Sequence, residues 1–309
     1  MKVRLTGALL TGVLLVGALL TQAGCGDAPP SPPAQPPDLR LGGTPSSTSA
    51  AAREGIQQFW RVYRQATTKR IGGDYAGALA LFDSALTLQP EHLDALYYSG
   101  NAAYELGQFA EAERRWRLEL AANAHSARAH AQIGMLYSAA LPDAPIDLAI
   151  AQRELEAAHS LNRAETGPLV GLGEIALLRG DLVAAARWLA AASTTNTRSV
   201  AAVYLRGYLA WTEGEIDAAK RLLATAWHLA GGGPEEVSAS AEGQTKAGNR
   251  PLLESGNPSP LSAHWRRLGD ETASSEPQVG AAVEYKDFND TLERIRARIG
   301  ARSVEDRKG

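Results

Sequence analysis

The side chains that could carry chemistry in this 309-residue chain are few and scattered. A single cysteine, Cys25, excludes an internal disulfide, a CxxC redox pair and a cysteine-rich zinc site. The six histidines form no HExxH motif, and His125 and His130 are five residues apart, so they do not share a helical face. The sequence has no Walker loop, no GxSxG elbow and no GxGxxG after a strand. We therefore predict a protein without a catalytic site, a metal or a cofactor.

Composition and charge point to a helical protein that does not bind nucleic acid. The chain has 31 Lys and Arg against 34 Asp and Glu, a net charge of −3, which gives no basic footprint for a phosphate backbone. Alanine and leucine dominate its middle part, and both favour helix. A hydrophobic content of 45% excludes wholesale disorder.

The first 24 residues have the pattern of an export signal. Lys2 and Arg4 precede an uncharged run from Leu5 to Leu20, and the small residues Ala23 and Gly24 come directly before Cys25. The run is shorter than the roughly 20 residues of a membrane-spanning helix. We predict that residues 1–24 are a signal peptide, whose removal would take the net charge to −5.

Ala23-Gly24-Cys25 resembles the exit of a bacterial lipoprotein signal, with Gln22 where that pattern has an aliphatic residue. The resemblance implies acyl chains on Cys25 that anchor the chain in the cell envelope, facing the periplasm. Gly26, rather than an aspartate, favours the outer membrane over the inner one. Residues 25–52, rich in Pro and Ser, predict a tether behind the lipidated cysteine. An ordinary cleaved signal peptide and an uncleaved anchor are the alternatives.

A spacing of 34 residues recurs through residues 53–231. The pairs with this spacing include Gly73–Gly107, Ala78–Ala112, Phe82–Trp116, Gly100–Gly134, Gly173–Gly207, Gly180–Gly214 and Ala185–Ala219. Small residues at fixed points let neighbouring helices approach closely, and large residues fill the space between them. One helical hairpin cannot bury its own apolar face, so we expect stacked hairpins to share a core.

The pattern resembles the tetratricopeptide-repeat (TPR) family, which has glycine at repeat position 8, a turn residue near position 15 and alanine at positions 20 and 27. The resemblance implies an all-α fold, a right-handed superhelix (α-solenoid) of about five helix-turn-helix repeats. The approximate repeat spans are 59–92, 93–126, 127–165, 166–199 and 200–231. Repeat three has five extra residues, Leu141 to Pro145, which are either a tolerated insertion or a contact loop.

In TPR proteins, helix A of each repeat lines a concave groove through repeat positions 2, 5, 9 and 12. Aromatic residues make up only 6% of this chain, yet seven of them fall on these positions. Tyr and Trp are enriched in binding hot spots, so we expect the groove to bind an extended peptide or a partner helix, with Asn101 holding the peptide backbone. The alternative is that several of these rings pack between helices. The predicted groove residues are Trp60, Tyr63, Tyr97, Asn101, Tyr104, Arg128, Tyr204, Tyr208 and Trp211.

Two further segments follow the repeats. Residues 232–280, rich in Gly, Ser and Pro, predict a loop or partly disordered segment, in which the apolar stretch 260–265 docks onto the solenoid. Residues 281–309 are predicted to form an amphipathic helix with a tail. Its apolar stripe has spacings of three and four: Tyr285, Phe288, Leu292, Ile295 and Ile299. We expect this helix to cap the stack, and the alternative is that it binds a partner.

Together these features predict a non-catalytic protein-interaction scaffold, tethered to the bacterial envelope, that serves the assembly of envelope or secretion complexes. Its partner is expected to be a protein or a peptide. Two alternatives remain open. One is an enzyme or ligand-binding protein with its site in the C-terminal segment, and the other is a structural oligomer.

Overall fold

The computed structural model describes residues 47–231, 260–269 and 281–305. Within these ranges ten helices form five consecutive hairpins, each with a helix A and a helix B, and no strand is present. The predicted fold class is therefore confirmed. The helices A are α1 (Ser47–Ile71), α3 (Leu93–Glu105), α5 (Ala127–Ser138), α7 (Gly167–Arg179) and α9 (Val200–Thr212). The helices B are α2 (Tyr75–Leu88), α4 (Phe109–Ala122), α6 (Leu148–Leu161), α8 (Leu182–Thr195) and α10 (Ile216–Leu229).

Four of the five hairpins turn at a glycine whose φ is positive. The φ angles of Gly73, Gly107, Gly180 and Gly214 are 80°, 71°, 77° and 80°. A residue with a Cβ is strained in this region, whereas glycine is not. Asp74 is the N-cap of α2 in the first hairpin, and its side chain accepts a hydrogen bond from the backbone N–H of Gly77 in the first turn of that helix. The glycine predicted near repeat position 15 is confirmed as the end of helix A.

Within a hairpin, a glycine of helix A lies directly against a large side chain of helix B. A Cβ built on Gly100 would lie 2.5 Å from Nε1 of Trp116, and one built on Gly173 would lie 2.7 Å from the Leu189 side chain. Trp116 and Leu189 are fully buried. The helices can approach this closely only because the side chain is missing, as the sequence pattern predicted.

The extra residues of repeat three lie in the turn between α5 and α6. Ala140 and Asp143 have φ angles of 54° and 61°, so the backbone is in the left-handed conformation at these two residues. Ala140 and Ala144 are buried, whereas Pro142 and Asp143 are exposed. The base of the insertion is part of the core, and only its tip faces solvent.

Helix α1 begins at Ser47, upstream of the predicted end of the tether at residue 52. Residues 47–52 therefore belong to α1. Ala50 to Ala52 explain the difference, because alanine has the highest helix propensity and the repeat pattern gives no boundary there. Cys25, the predicted signal peptide and the rest of the predicted tether lie outside the described residues. In the ranges that the structure describes, no helix combines the length and the apolar composition needed to cross a bilayer.

The C-terminal segment forms the short helix α11 (Ser262–Arg266), a 3₁₀ turn (Arg267–Gly269) and the long helix α12 (Ala281–Glu305). Trp265 of α11 is buried, as expected for a docked apolar stretch. In α12 the predicted stripe is buried from Tyr285 to Ile295, and Ile299 is half-buried. Helix α12 contacts α10, as a cap would, but it also contacts α9 and α7. Helix α12 therefore does more than cap the end of the stack, because it also extends over the helices A of the last two repeats.

Candidate interaction surface

We call the side of the helices A that carries repeat positions 2, 5, 9 and 12 the helix-A face. The nine residues predicted to line a groove on this face fall into two sets. The first set, on repeats one to three, is partly exposed: Trp60, Tyr63, Tyr97, Asn101 and Arg128. In the second set Tyr104, Tyr204 and Tyr208 are buried, and Trp211 is partly exposed at its margin. The three buried residues are not available to another molecule in this structure.

An aromatic cluster lies at the N-terminal end of the helix-A face. The Trp60 ring is 5.7 Å from the Tyr63 ring and 5.6 Å from the His92 ring, both in edge-to-face geometry. Phe59 is fully buried beneath them, 4.5 Å from the His92 ring. Edge-to-face contacts of this kind fix ring orientations. Trp60 remains 45% exposed, so the cluster presents a held indole surface to solvent.

His92 is held by the backbone as well as by the rings. Its Nδ1 accepts a hydrogen bond from the Ala95 N–H at 3.2 Å and so caps the start of α3. A sequence pattern that looks only for metal or catalytic histidines misses this role. The signal that could have found it is a polar residue directly before the first apolar position of a predicted helix.

A strip of polar side chains runs along the helix-A face from repeat two to repeat three. The Arg128 guanidinium lies over the Tyr97 ring at 4.5 Å and pairs with Asp94 at 2.7 Å. Arg128 Nε also donates to the buried carboxylate of Glu119 at 2.8 Å. Gln132 donates to the Tyr97 hydroxyl at 2.9 Å, and burial raises the pKa of that hydroxyl. The strip is therefore a fixed arrangement of one aromatic ring, one cation and one exposed carboxylate.

Asn101 has a partner inside its own repeat. Its Oδ1 accepts a hydrogen bond from Nε1 of Trp116 at 3.1 Å, and Trp116 is the residue that packs on Gly100. The amide oxygen therefore supports the hairpin. We predicted that Asn101 holds the backbone of a bound peptide, but its amide oxygen is already used inside the repeat.

Tyr104 was predicted as a groove residue, and this prediction is wrong. The ring is 3% exposed and packs 5.4 Å from Phe109 and 6.2 Å from Trp116. It lies in the last turn of α3, where the chain folds back into α4. The alternative, packing between helices, holds for this residue.

Tyr204 and Tyr208 lie where the register placed them, but the expectation of an open groove there is wrong. The Tyr204 hydroxyl donates to Glu284 Oε1 at 2.6 Å, and the Tyr208 hydroxyl donates to Asn289 Oδ1 at 2.7 Å. Both acceptors are on α12, so the chain's own helix occupies the helix-A face of repeats four and five. Trp211 stacks on Tyr208 with 6.0 Å between ring centroids and is half-buried at the margin.

A polar cluster joins α11 and α12 to α9 around Glu284. Arg267 donates to Glu284 Oε2, and His264 Nδ1 lies 3.7 Å from Glu284 Oε1. Burial alone would raise the pKa of Glu284, but the contacts with His264, Tyr204 and Arg267 outweigh burial and hold the pKa below its ordinary value. The carboxylate is therefore charged where it lies under α9, and it is satisfied by the groups around it.

The remaining polar side chains give no sign of a metal site. His130 Nδ1 lies 2.7 Å from Glu154 Oε2 and links α5 to α6. Over the described part of the chain, no group of three or more His, Cys, Asp or Glu side chains is placed to hold a metal ion.

Comparison with known proteins identifies the repeats. Residues 72–133, from the first turn into the middle of α5, match the model of the tetratricopeptide repeat family. Residues 72–133 are accordingly similar to tetratricopeptide repeats, and the five stacked hairpins have the fold of a solenoid of this kind. A search of the curated proteins finds no match.

The solved structures to which this chain is similar include YrrB, TTC0263 and Tom70. YrrB, described as a TPR protein with an unusual peptide-binding site, is 21% identical, covers 60% of this chain and 93% of its own, with a TM-score of 0.43. A thermophilic TPR protein of Thermus thermophilus, TTC0263, is 20% identical over 56% of this chain and 92% of its own, with a TM-score of 0.47. Yeast Tom70 is 20% identical over 54% of this chain and 35% of its own, with a TM-score of 0.46.

Proposed function

We propose that this chain is a protein-interaction scaffold that binds an extended segment of a partner protein on the open helix-A face of repeats one to three. The observation that carries the proposal is the difference between the two halves of this face. Over repeats four and five, α12 covers Tyr204 and Tyr208, whereas Trp60, Tyr63, Tyr97 and Arg128 remain partly exposed.

The chemistry of the open face suits a peptide with apolar and charged side chains. Trp60 and Tyr63 offer ring surface whose orientation is already fixed, so binding costs little side-chain entropy. The Asp94 carboxylate is half-exposed beside Arg128, and it can pair with a basic side chain of the peptide. A partner helix is the alternative occupant.

The first experiment places a photo-crosslinking amino acid at position 60 of the full chain in cells. A matched control carries it at position 183, because Val183 is 84% exposed on α8, a helix B. A partner polypeptide bound on the open face forms an adduct at position 60 and none at position 183. Equal adducts at both positions, or adducts at position 183 alone, would contradict the proposal.

The same partner gives a second readout. We expect the Trp60→Ala/Tyr63→Ala double variant to bind it at least ten-fold more weakly than the wild type, because two large contact surfaces are removed. Val183→Ala should bind it as the wild type does. Circular dichroism of the variants checks that helix content is unchanged, so that a loss of binding cannot be assigned to unfolding.

We further propose that the scaffold is exported and lipid-anchored through Cys25 to the cell envelope, facing the periplasm, with the outer membrane favoured. The signal-like residues 1–24 and the small residues before Cys25 support this proposal. Envelope or secretion-complex assembly is the role that such a tethered scaffold would serve.

Metabolic labelling with an alkyne fatty acid tests the anchor. We expect the native chain to take up label and to sediment with membranes, and Cys25→Ser to lose both properties. Ser31→Ala in the same region is the control and should keep both. Label that persists in Cys25→Ser would overturn the proposal.

A further inference from the structure

Helix α12 packs on the solenoid in the way that an amphipathic helix of one protein packs on the surface of another. Its apolar stripe of Tyr285, Phe288, Leu292 and Ile295 is buried against the solenoid, whereas its opposite side, with Val283 58% exposed, faces solvent. The Tyr204 ring lies 5.2 Å from the Tyr285 ring and 5.6 Å from the Phe288 ring. An amphipathic helix laid by its apolar side into a receptive surface is a recurring mode of peptide recognition.

The receiving surface has a notch at Gly207 of α9. A Cβ built there would lie 1.9 Å from the Tyr285 hydroxyl and 3.2 Å from Cβ of Leu222. In repeats two and four the corresponding glycines, Gly100 and Gly173, face a large side chain of their own helix B. In the last repeat the nearest atoms belong to Tyr285, so α12 fills a place that the repeat itself does not fill.

Polar groups of the solenoid fix the position of α12 along this surface. The Tyr204 hydroxyl meets Glu284, the Tyr208 hydroxyl meets Asn289, and the carbonyl of Leu177 at the end of α7 accepts from Arg296. The surface therefore selects an amphipathic helix with an acidic residue near its start and an aromatic pair directly after it. A basic residue follows about three helical turns after the acidic one.

Two features make α12 separable from the repeats. The five hairpins pack on their neighbours in sequence, so the contacts between one hairpin and the next are made by the repeats themselves, and α12 adds to the core of the last two repeats. The docked segment also leaves a polar atom unsatisfied: the Tyr285 hydroxyl is buried and has no hydrogen-bond partner. Such a group weakens docking, because it loses water and gains no hydrogen bond in return.

We propose that the helix-A face of repeats four and five is an exchangeable helix-binding site, that α12 is its resident occupant, and that an amphipathic helix of a partner protein with the side-chain order of α12 displaces it. The site is separate from the open face of repeats one to three, and the partner's helix must compete with a helix that is covalently attached. Attachment makes docking intramolecular, which corresponds to an effective concentration on the order of millimolar.

The test uses the full chain and a fluorescent synthetic peptide with the sequence of residues 281–305. Phe288→Ala/Leu292→Ala in the chain weakens the resident helix, and the peptide should bind this variant at least ten-fold more tightly than the wild type. A peptide that carries the same two substitutions should not bind. Equal affinity of the unsubstituted peptide for the variant and for the wild type would overturn the proposal.

A substitution on the receiving side locates the site. Adding Gly207→Ala to the Phe288→Ala/Leu292→Ala chain closes the notch for Tyr285 and should weaken peptide binding at least ten-fold. Gly55→Ala is the matched control, because a Cβ at Gly55 of α1 meets nothing within 4 Å, and it should leave binding unchanged. Binding that survives Gly207→Ala would place the peptide elsewhere and overturn the proposal.

Hydrogen exchange of the wild-type chain gives a readout that needs no substitution. With ¹⁵N-labelled chain and unlabelled peptide, the resident helix is distinguished by mass. We expect excess peptide to accelerate exchange in the resident α12 while α2 to α6 keep their protection, and unchanged exchange in α12 at saturating peptide would contradict displacement. Trp60→Ala/Tyr63→Ala should bind the peptide as the wild type does, so failure of the open-face proposal and failure of this one are told apart.

Discussion

Gly100 and Trp116 show how single residues set the distance between two helices. A Cβ at position 100 would lie 2.5 Å from Nε1 of Trp116 and 2.7 Å from its Cδ1. Trp116 is fully buried, and its indole N–H donates to Asn101, so the ring cannot move aside cheaply. The glycine at this repeat position is therefore required by packing, although its backbone is ordinary helix.

We expect Gly100→Ala to lower the free energy of unfolding by about 1–3 kcal/mol, the usual cost of overpacking a core. Gly55→Ala should be neutral or stabilising by up to about 1 kcal/mol, because the same change in open space only improves helix propensity. Urea unfolding followed by circular dichroism measures both. Equal stability of the two variants would show that the hairpin relaxes around the added methyl group.

At the scale of elements, the turns and caps could be predicted from the sequence, whereas the place of α12 could not. The repeat spacing locates Gly73, Gly107, Gly180 and Gly214, and each has the positive φ that its place in the pattern requires. The stripe from Tyr285 to Ile299 predicts a helix, but a stripe does not tell which surface it covers. The contact of Tyr204 with Glu284 joins residues 80 apart, and no periodicity connects them.

The docking of α12 onto the solenoid should become weaker at low pH. Because the folded-state pKa of Glu284 is held below its ordinary value of about 4.3, its charge stabilises docking above that pH, and the contribution is lost as the pH falls through the folded-state pKa. We expect Glu284→Gln to lower the free energy of unfolding at pH 7 by about 1.5–3 kcal/mol, the range for hydrogen bonds to charged groups. The difference from the wild type should shrink towards pH 3.

Thermal unfolding of both proteins between pH 3 and pH 7 measures this difference. Glu213→Gln, at an exposed side chain in the turn after α9, is the control and should match the wild type throughout. A difference between Glu284→Gln and the wild type that stays constant across this range would mean that the charge of Glu284 does not hold α12.

At the scale of the molecule, the core is uneven along the stack. One large cluster of buried residues joins α7 to α12, whereas separate, smaller clusters serve the first three repeats. The sequence predicted about five repeats with a groove along all of them, and in that respect the candidate site could be predicted only in part. Trp60, Tyr63, Tyr97 and Arg128 are partly exposed, whereas Tyr204 and Tyr208 are buried under α12. The repeat pattern does not predict this difference, because it depends on a segment far away in the sequence.

This unevenness predicts a gradient of local stability. In a stack held mainly by contacts between neighbours, a repeat with less buried surface around it opens more readily. We expect the amides of α7 and α9 to exchange with solvent at least ten-fold more slowly than those of α1, measured by hydrogen exchange at pH 7. Uniform protection across all five hairpins would instead mean that the solenoid opens as a single cooperative unit.

The notch at Gly207 also bears on how such an array could change in length. A sixth hairpin added after α10 would need the surface of α9 and α10 that Tyr285 and the start of α12 now occupy. Duplication of a hairpin upstream of α7 would leave that surface untouched. A hairpin therefore cannot be added after α10 unless α12 moves away. The number of repeats ahead of α7, in contrast, can vary without changing the contacts of α12.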